Sequence, residues 1–576
     1  MAIIQKPSRQ VKEPWHFGQT INLRGRAFRS STFAIARSKK PKPLERRLVS
    51  YPGAAKSFES EDVKYFLTTA IDYTNGDPHI GHAYEKILGD IIARYHRAFD
   101  GPTFFLTGVD QHGQKVQQAA QKCGVQPLDF AQQVTEKFLA LWDRLGIQRD
   151  GWAATTDPRH KRAVRKVLQS LYDKGELFKA KYAGYYSVRQ EQFLTDKERN
   201  EAGEFGQEWG EVIFLEEENW YFPLAKHKEW LKSFVEAHPD FVVPDFRRNE
   251  LINAIERLTG NLCVSRPKER LSWGIEFPFD PDYVTYVWFD ALLNYVTFAG
   301  YRSDDDPSLP TFSELWPCKA HIIGKDILVP AHGVYWPIML HAMGFSDEQM
   351  PRLLVHGWWN VAGAKMSKSL GNVIDPDILA EKYGADALRY YLMRDNIVGQ
   401  DSDFSEERLV MRYNSDLAND LGNLVNRTIS MSQRYRNGVV GSFELNDPNL
   451  NAIRDLSKSV IQRYGEAFER FEVHGAIEAV WELVTRANAL VEQKAPWKLA
   501  KDPGQSELLD AVLYTLAETV RLLALLISPV IPAPSERILE QLKTQHIRIL
   551  QWGGLPSGHQ LGKPSPIFPR IELVGV

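Results

Sequence analysis

The sequence predicts an α/β protein in which a parallel-sheet domain is split by an insertion and followed by an α-helical domain. Three observations carry this. Strand, helix and strand succeed one another between residues 63 and 108, the spacing of a βαβ unit in a parallel sheet. Short strands that end in Gly or His return much later, at Ala320-His321-Ile322-Ile323-Gly324 and Leu353-Leu354-Val355-His356. From about 396 to 540 the chain is mainly helical in pattern, with few strand signals.

The first strand is Val63-Lys64-Tyr65-Phe66-Leu67-Thr68-Thr69, a buried-strand pattern. A loop, Asp72-Tyr73-Thr74-Asn75-Gly76-Asp77-Pro78, leads to a helix over about Gly81 to Arg97. Its apolar positions Ile87, Leu88, Ile91, Ile92 and Tyr95 share one face. The second strand is Phe104-Phe105-Leu106-Thr107, closed by Gly108. Residues 180–280 are richer in charge, Trp and Gly and read as an insertion. The organisation predicted is a basic leader (1–60), the first half of the sheet domain (61–180), the insertion (181–280), the second half (281–395), a helical domain (396–545) and a Gly- and Pro-containing tail (546–576).

Composition is that of an ordinary globular chain: 576 residues, 43% hydrophobic, 25% charged, formal net charge −3. That charge gives no overall sign of a nucleic-acid partner, although a local basic face would suffice for one. The three cysteines, Cys123, Cys263 and Cys318, are too scattered for a zinc knuckle or a disulfide framework and point to a reducing compartment. The longest apolar stretch, from Leu522 to Ile527, is broken by Ser528, Pro529 and Pro532, too short to cross a bilayer. Residues 1–50 hold twelve Lys or Arg against two acids, Glu13 and Glu45. They are read as a disordered leader, with a transit peptide and an RNA-touching basic tail as alternatives. The location expected is cytoplasmic, or an organelle matrix if the leader is a transit peptide.

Two constellations carry chemistry. His79-Ile80-Gly81-His82 stands where a loop opens into a helix, a place whose exposed N–H groups and positive dipole end favour anions. Gly81 allows a nucleotide to approach the backbone, and imidazole N–H groups can donate to phosphate oxygens. Lys365-Met366-Ser367-Lys368-Ser369, followed by Leu370-Gly371-Asn372, places two lysines three apart beside hydroxyls and a glycine. That composition suits a loop gripping polyphosphate. Alone, the first also fits surface histidines on a capped helix and the second a solvated basic loop.

In this order and context the two motifs resemble the HIGH and KMSKS signatures of class I aminoacyl-tRNA synthetases. The resemblance narrows to the methionyl-tRNA synthetase family through Ala70-Ile71-Asp72-Tyr73-Thr74-Asn75-Gly76, Thr107-Gly108-Val109-Asp110-Gln111-His112-Gly113, Tyr286-Val287-Trp288-Phe289-Asp290-Ala291-Leu292-Leu293-Asn294-Tyr295 and Ile323-Gly324-Lys325-Asp326-Ile327. It covers about 63 to 540. It implies a Rossmann-type catalytic domain, an inserted connective domain and a helical anticodon-binding domain. It also implies an enzyme that activates methionine with ATP and Mg²⁺ and passes it to tRNA(Met).

The site residues that follow from the resemblance fall into four groups. His79, His82, Lys365 and Lys368 would act on the phosphates. Gly81, Glu85, Asp326, His356, Trp359 and Ser367 would complete the ATP site. Asp110 would hold the methionine ammonium, with Ala70, Ile71, Tyr73, Arg266, Trp288, Leu292, Tyr295 and His332 forming the rest of the amino-acid site. Trp497, in Lys494-Ala495-Pro496-Trp497-Lys498, would stack on an anticodon base, with Asn423 and Arg427 beside it on one helix face.

Two departures from the family stand out. Ser187 and Gln190 occupy the places of the first zinc-knuckle cysteines, so no metal is expected in the insertion. The span Gly324 to His332 is one residue longer than in some relatives. A monomer that does not bind membranes is expected. The rivals are another class I synthetase (for leucine, isoleucine, valine or cysteine), a small nucleotidyltransferase, and a tRNA-binding paralogue with a dead site.

Overall fold

The structure, a computed structural model, describes residues 63–187, 192–194, 196, 199–200, 202–303, 309–366, 371–441 and 445–572. The expected leader and part of the lysine motif, including Ser367 and Lys368, lie outside these residues.

A seven-stranded parallel sheet organises the catalytic half. Its strands include β1 (Tyr65–Thr69), β2 (Thr103–Asp110) and β3 (Gly151–Ala154). The insertion supplies β4 (Phe178–Ser187), β5 (Gln192–Leu194) and β6 (Val212–Phe222), then β7 (Val242–Val243) and β8 (Leu262–Cys263). The late strands are β9 (Ala320–Gly324) and β10 (Leu353–His356). β1 lies between β2 and β9, β9 pairs with β10, and β3 and the short strand Asp72–Tyr73 both pair with β2. β1 and β2 are buried on both faces, which is why they show no polar–apolar alternation.

The stretch 181–280 is not one separate block. β4, β5, β6 and β8 make an antiparallel four-stranded sheet, but between them β7 returns to the main sheet and pairs parallel with β10, Val242 opposite Leu353.

Helices cover both faces. On one, α1 (Ile80–Phe99) buries Ile87, Leu88, Ile91 and Ile92 against the helical domain. On the other, α2 (Pro158–Asp173) and α3 (Val287–Thr297) pack with Phe66 and Leu106 of the sheet and Phe222 of the insertion. The helical domain is built from α4 (Ala385–Arg394), α5 (Asn423–Arg436), α6 (Pro448–Glu469), α7 (Val473–Lys494), α8 (Ser506–Ile527) and α9 (Pro532–Leu542), with shorter turns between them. Buried Arg389 of α4 ties the halves together. It pairs with Asp90 of α1 at 2.7 Å and donates to Val530 O (2.8 Å) and Pro529 O (2.9 Å).

The tail packs back on this domain without regular structure, burying Leu555, Leu561, Ile567 and Phe568. Glu518 of α8 accepts the N–H groups of Gly553 and Gly554 at Oε1 (2.8 Å each) and that of Leu555 at Oε2 (3.1 Å), while Arg521 closes a buried ion pair with it at 2.6 Å. No helix of the described residues is long and apolar enough to cross a membrane.

Candidate active site

The start of α1 is capped by histidines rather than by the usual Ser, Thr, Asp or Asn. His79 is the N-cap; its Nδ1 accepts from Gly81 N–H (3.1 Å), and His82 Nδ1 accepts from His79 N–H (3.1 Å). An Nδ1 that accepts is bare, so a neutral ring keeps its proton on Nε2. The reciprocal cap therefore fixes both rings, 3.8 Å apart, as Nε2–H donors at a helix N-terminus. Gly81 permits this closeness, since a Cβ there would sit 3.0 Å from His79 Cε1. The segment after the lysine motif is stitched to the same point: Ile80 N–H donates to Ile374 O at 3.1 Å.

A cavity of about 690 Å³ opens at the ends of β1 and β2. All nine residues expected to bind methionine line it: Ala70, Ile71, Tyr73, Asp110, Arg266, Trp288, Leu292, Tyr295 and His332. They come from the end of β1, the end of β2, the strand Ser265–Pro267, one face of α3 and the segment after β9. Asp110 is buried, and its Oδ1 accepts from Thr155 Oγ1 (3.3 Å) and His112 N–H (3.4 Å). Gly113, at φ +106°, leaves no room for a Cβ, which would meet the Tyr73 hydroxyl at 2.5 Å. Buried Arg266 lies 4.4 Å from the centre of the Tyr286 ring and donates to Cys263 Sγ (3.1 Å) and Ser265 O (2.8 Å).

Residues Leu328–Tyr335 form a short helical segment kinked at Val329 (φ −115°, ψ 127°). His332 Nδ1–H donates to Ile327 O (3.0 Å), leaving Nε2 to accept from the Tyr295 hydroxyl (3.3 Å), which in turn accepts from Ile71 N–H (3.4 Å). Burial lowers the His332 pKa to about 4 and raises that of Tyr295. This wall of the cavity is thus uncharged at neutral pH.

The nucleotide-side residues sit at the ends of β9 and β10. His356 Nε2 meets Glu85 Oε2 at 3.1 Å. Exposed Asp326 accepts from Trp358 Nε1–H (3.1 Å) and lies 3.6 Å from Lys365 Nζ, which sits 3.6 Å from the centre of the Trp358 ring. Trp359, expected on this side, turns the other way. Its ring is buried against Tyr84, Tyr391 and Phe404, because neighbouring residues of an extended segment face opposite sides. Of the two tryptophans it is Trp358 that faces Asp326 and Lys365, and nothing in the local sequence marks Lys86, whose contacts are described below.

In the insertion, Ser187 Oγ donates to Trp209 O (2.5 Å), while Tyr185 packs on Phe205 and Phe214. Gln190 lies outside the described residues. Among the described residues no group of three His, Cys, Asp or Glu side chains could hold a metal ion. In the helical domain Arg427 reaches over the Trp497 ring at 5.8 Å and pairs with Glu492 at 2.6 Å, and Asn423 is exposed one turn earlier on α5.

A parallel sheet split by an insertion, a histidine-capped helix and a trailing helical domain give the architecture of a class I aminoacyl-tRNA synthetase. The family model "tRNA synthetases class I (M)" matches residues 65–203 and 209–429, and "Anticodon binding domain of methionyl tRNA ligase" matches 442–573. The methionine–tRNA ligase of Fusobacterium nucleatum is 39% identical over 518 residues, covering 88% of this chain and 80% of that one. That of Bacillus subtilis is 38% identical over 530 residues, covering 89% and 78%. Among solved structures, Mycobacterium tuberculosis methionyl-tRNA synthetase in complex with methionyl-adenylate aligns with a TM-score of 0.80 at 36% identity, covering 88% of this chain and 99% of that one. The chain belongs to the methionine–tRNA ligase family.

Proposed function

We propose that this enzyme joins L-methionine to ATP as methionyl-adenylate, releasing pyrophosphate, and then transfers the methionyl group to the 3′ end of tRNA(Met), releasing AMP. The observation that carries the reading is the convergence of the nine amino-acid-site residues on one cavity.

No protein nucleophile is needed, since the methionine carboxylate attacks the α-phosphorus itself. Catalysis is positioning and charge stabilisation. Asp110 pairs with the substrate ammonium. The neutral wall of Tyr295 and His332, with Trp288 across from it, takes the thioether; sulfur–ring contacts are worth about 0.3–1.5 kcal/mol. The Nε2–H groups of His79 and His82 face charge developing on the α-phosphate. Lys365 and Lys368 neutralise the departing pyrophosphate. Mg²⁺ accompanying ATP would supply charge neutralisation. Trp497, Arg427 and Asn423 contact the anticodon. In this reading the enzyme is a cytoplasmic monomer, which fractionation and sedimentation velocity test.

The decisive assay is ATP–pyrophosphate exchange driven in turn by each standard amino acid. Exchange with methionine alone is expected; exchange driven better by leucine, isoleucine, valine or cysteine overturns the assignment.

A further inference from the structure

Lys86 is fully buried in the middle of the catalytic domain, one turn beyond His82 on α1. An ammonium out of water costs several kcal/mol unless its three protons are satisfied. Here each has an acceptor: Ala70 O at 2.7 Å, Asp72 Oδ1 at 3.0 Å and Glu85 Oε1 at 2.7 Å. These acceptors belong to different parts of the site. Ala70 and Asp72 alternate with Ile71 and Tyr73, which line the amino-acid cavity. Glu85 continues to His356 at the end of β10 through its other oxygen, at 3.1 Å, and His356 Nδ1 lies 2.7 Å from Gly357 O. One buried cation thus sits where the amino-acid turn, the histidine-bearing helix and the nucleotide side meet.

We propose that Lys86 is a positioning residue for methionine activation: its ammonium locks the 70–73 turn onto the helix that presents His79 and His82 and, through Glu85, sets the His356 ring. The charge state of the cluster agrees with this. Burial raises Asp72 to about 7, against the pull of Lys86. Glu85, despite its burial, is held below the usual range by Lys86 and His356. The shorter ion pair, to Glu85 at 2.7 Å, runs along the helix, and the contact to Asp72, at 3.0 Å, reaches across to the turn. An uncharged side chain of the same length would fill the space equally well. Packing alone does not call for a lysine.

The inference rests on methionine activation at this site, so wild-type methionine-dependent exchange is the control, and its absence would overturn the functional reading rather than this one. Given that control, Lys86→Met should raise KM for both methionine and ATP by about tenfold or more, the scale of one lost hydrogen bond to a charged group. Lys86→Arg, which keeps the charge, should recover part of the loss. Asp72→Asn, which keeps the shape of the turn, should raise KM for methionine alone. If Lys86→Met lowers the melting temperature but leaves both KM values within twofold of wild type, Lys86 is only structural and the proposal fails. If that variant does not fold, Asp72→Asn decides: a methionine KM within twofold of wild type overturns the proposal.

Discussion

Asp290→Asn tests how the amino-acid site is held from behind. Asp290 is fully buried on α3, on the side away from Trp288, Leu292 and Tyr295. Its Oδ2 meets His112 Nδ1 at 2.6 Å and its Oδ1 meets His160 Nε2 at 2.7 Å. It therefore joins α3 to α2 and to the loop in which His112 N–H reaches Asp110. Burial alone would raise its pKa, yet His112 and His160 hold it at about 2, against 3.8 for a free carboxyl. By linkage that difference is worth about 2 kcal/mol at neutral pH. Two hydrogen bonds to a charged group, at about 1.5–3 kcal/mol each, give the same order when an amide replaces one of them. The sign is that of a depressed carboxylate: the stabilisation is present above the unfolded pKa, near 4, and disappears as pH falls through 2. Urea unfolding of the catalytic half, followed by tryptophan fluorescence at pH 7, should show a loss of about 2–3 kcal/mol. The gap between wild type and variant should narrow below pH 4. Methionine KM should rise with little change in that for ATP. A loss under about 0.5 kcal/mol, the size of an ordinary surface substitution, or a gap that widens on acidification, would refute the reasoning.

Three further outcomes are expected. Lys368→Ala should slow adenylate formation by about 10²–10³, the scale of one lost transition-state donor, while equilibrium methionine binding changes far less; near-normal exchange would remove the lysine loop from the mechanism. Trp497→Ala should leave methionine-dependent exchange intact and cut tRNA charging by about tenfold or more, one stacked base being worth about 1–3 kcal/mol; equal loss of both activities would mean a folding defect. Glu518→Ala leaves buried Arg521 without its carboxylate and three N–H groups of the tail unpaired, at a cost of about 3–5 kcal/mol; hydrogen exchange should then accelerate across 553–561, and unchanged protection there would show the tail to be held by apolar contacts alone.

What could be read from the sequence follows the range of the forces involved. β1, β2 and α1 announce themselves because burial on both faces, or along one stripe, imposes a local pattern. β7 does not. It is two residues long and exists through pairing with β10, so nothing near Val242 marks the return to the main sheet. The tail is irregular, with no period to detect, yet it is fixed by a carboxylate more than thirty residues earlier in the chain. Trp358 and Trp359 are chemically identical, and only the direction of the backbone decides which faces Asp326.

The same distinction runs through the active site. The motifs are legible because phosphate and thioether recognition need particular side chains at fixed local spacing. The residues that hold those side chains still are not, because they act across 178 residues for His112–Asp290 and 271 for Glu85–His356. His332 shows how the two levels meet. A one-residue offset in the sequence argues against carrying its role over from the family. The structure nonetheless places its ring in the cavity wall, where the hydrogen bonds to Ile327 O and Tyr295 fix both the ring and its neutral tautomer. What defines such a residue is the hydrogen-bonded position of its ring, so spacing along the chain is a poor guide to it.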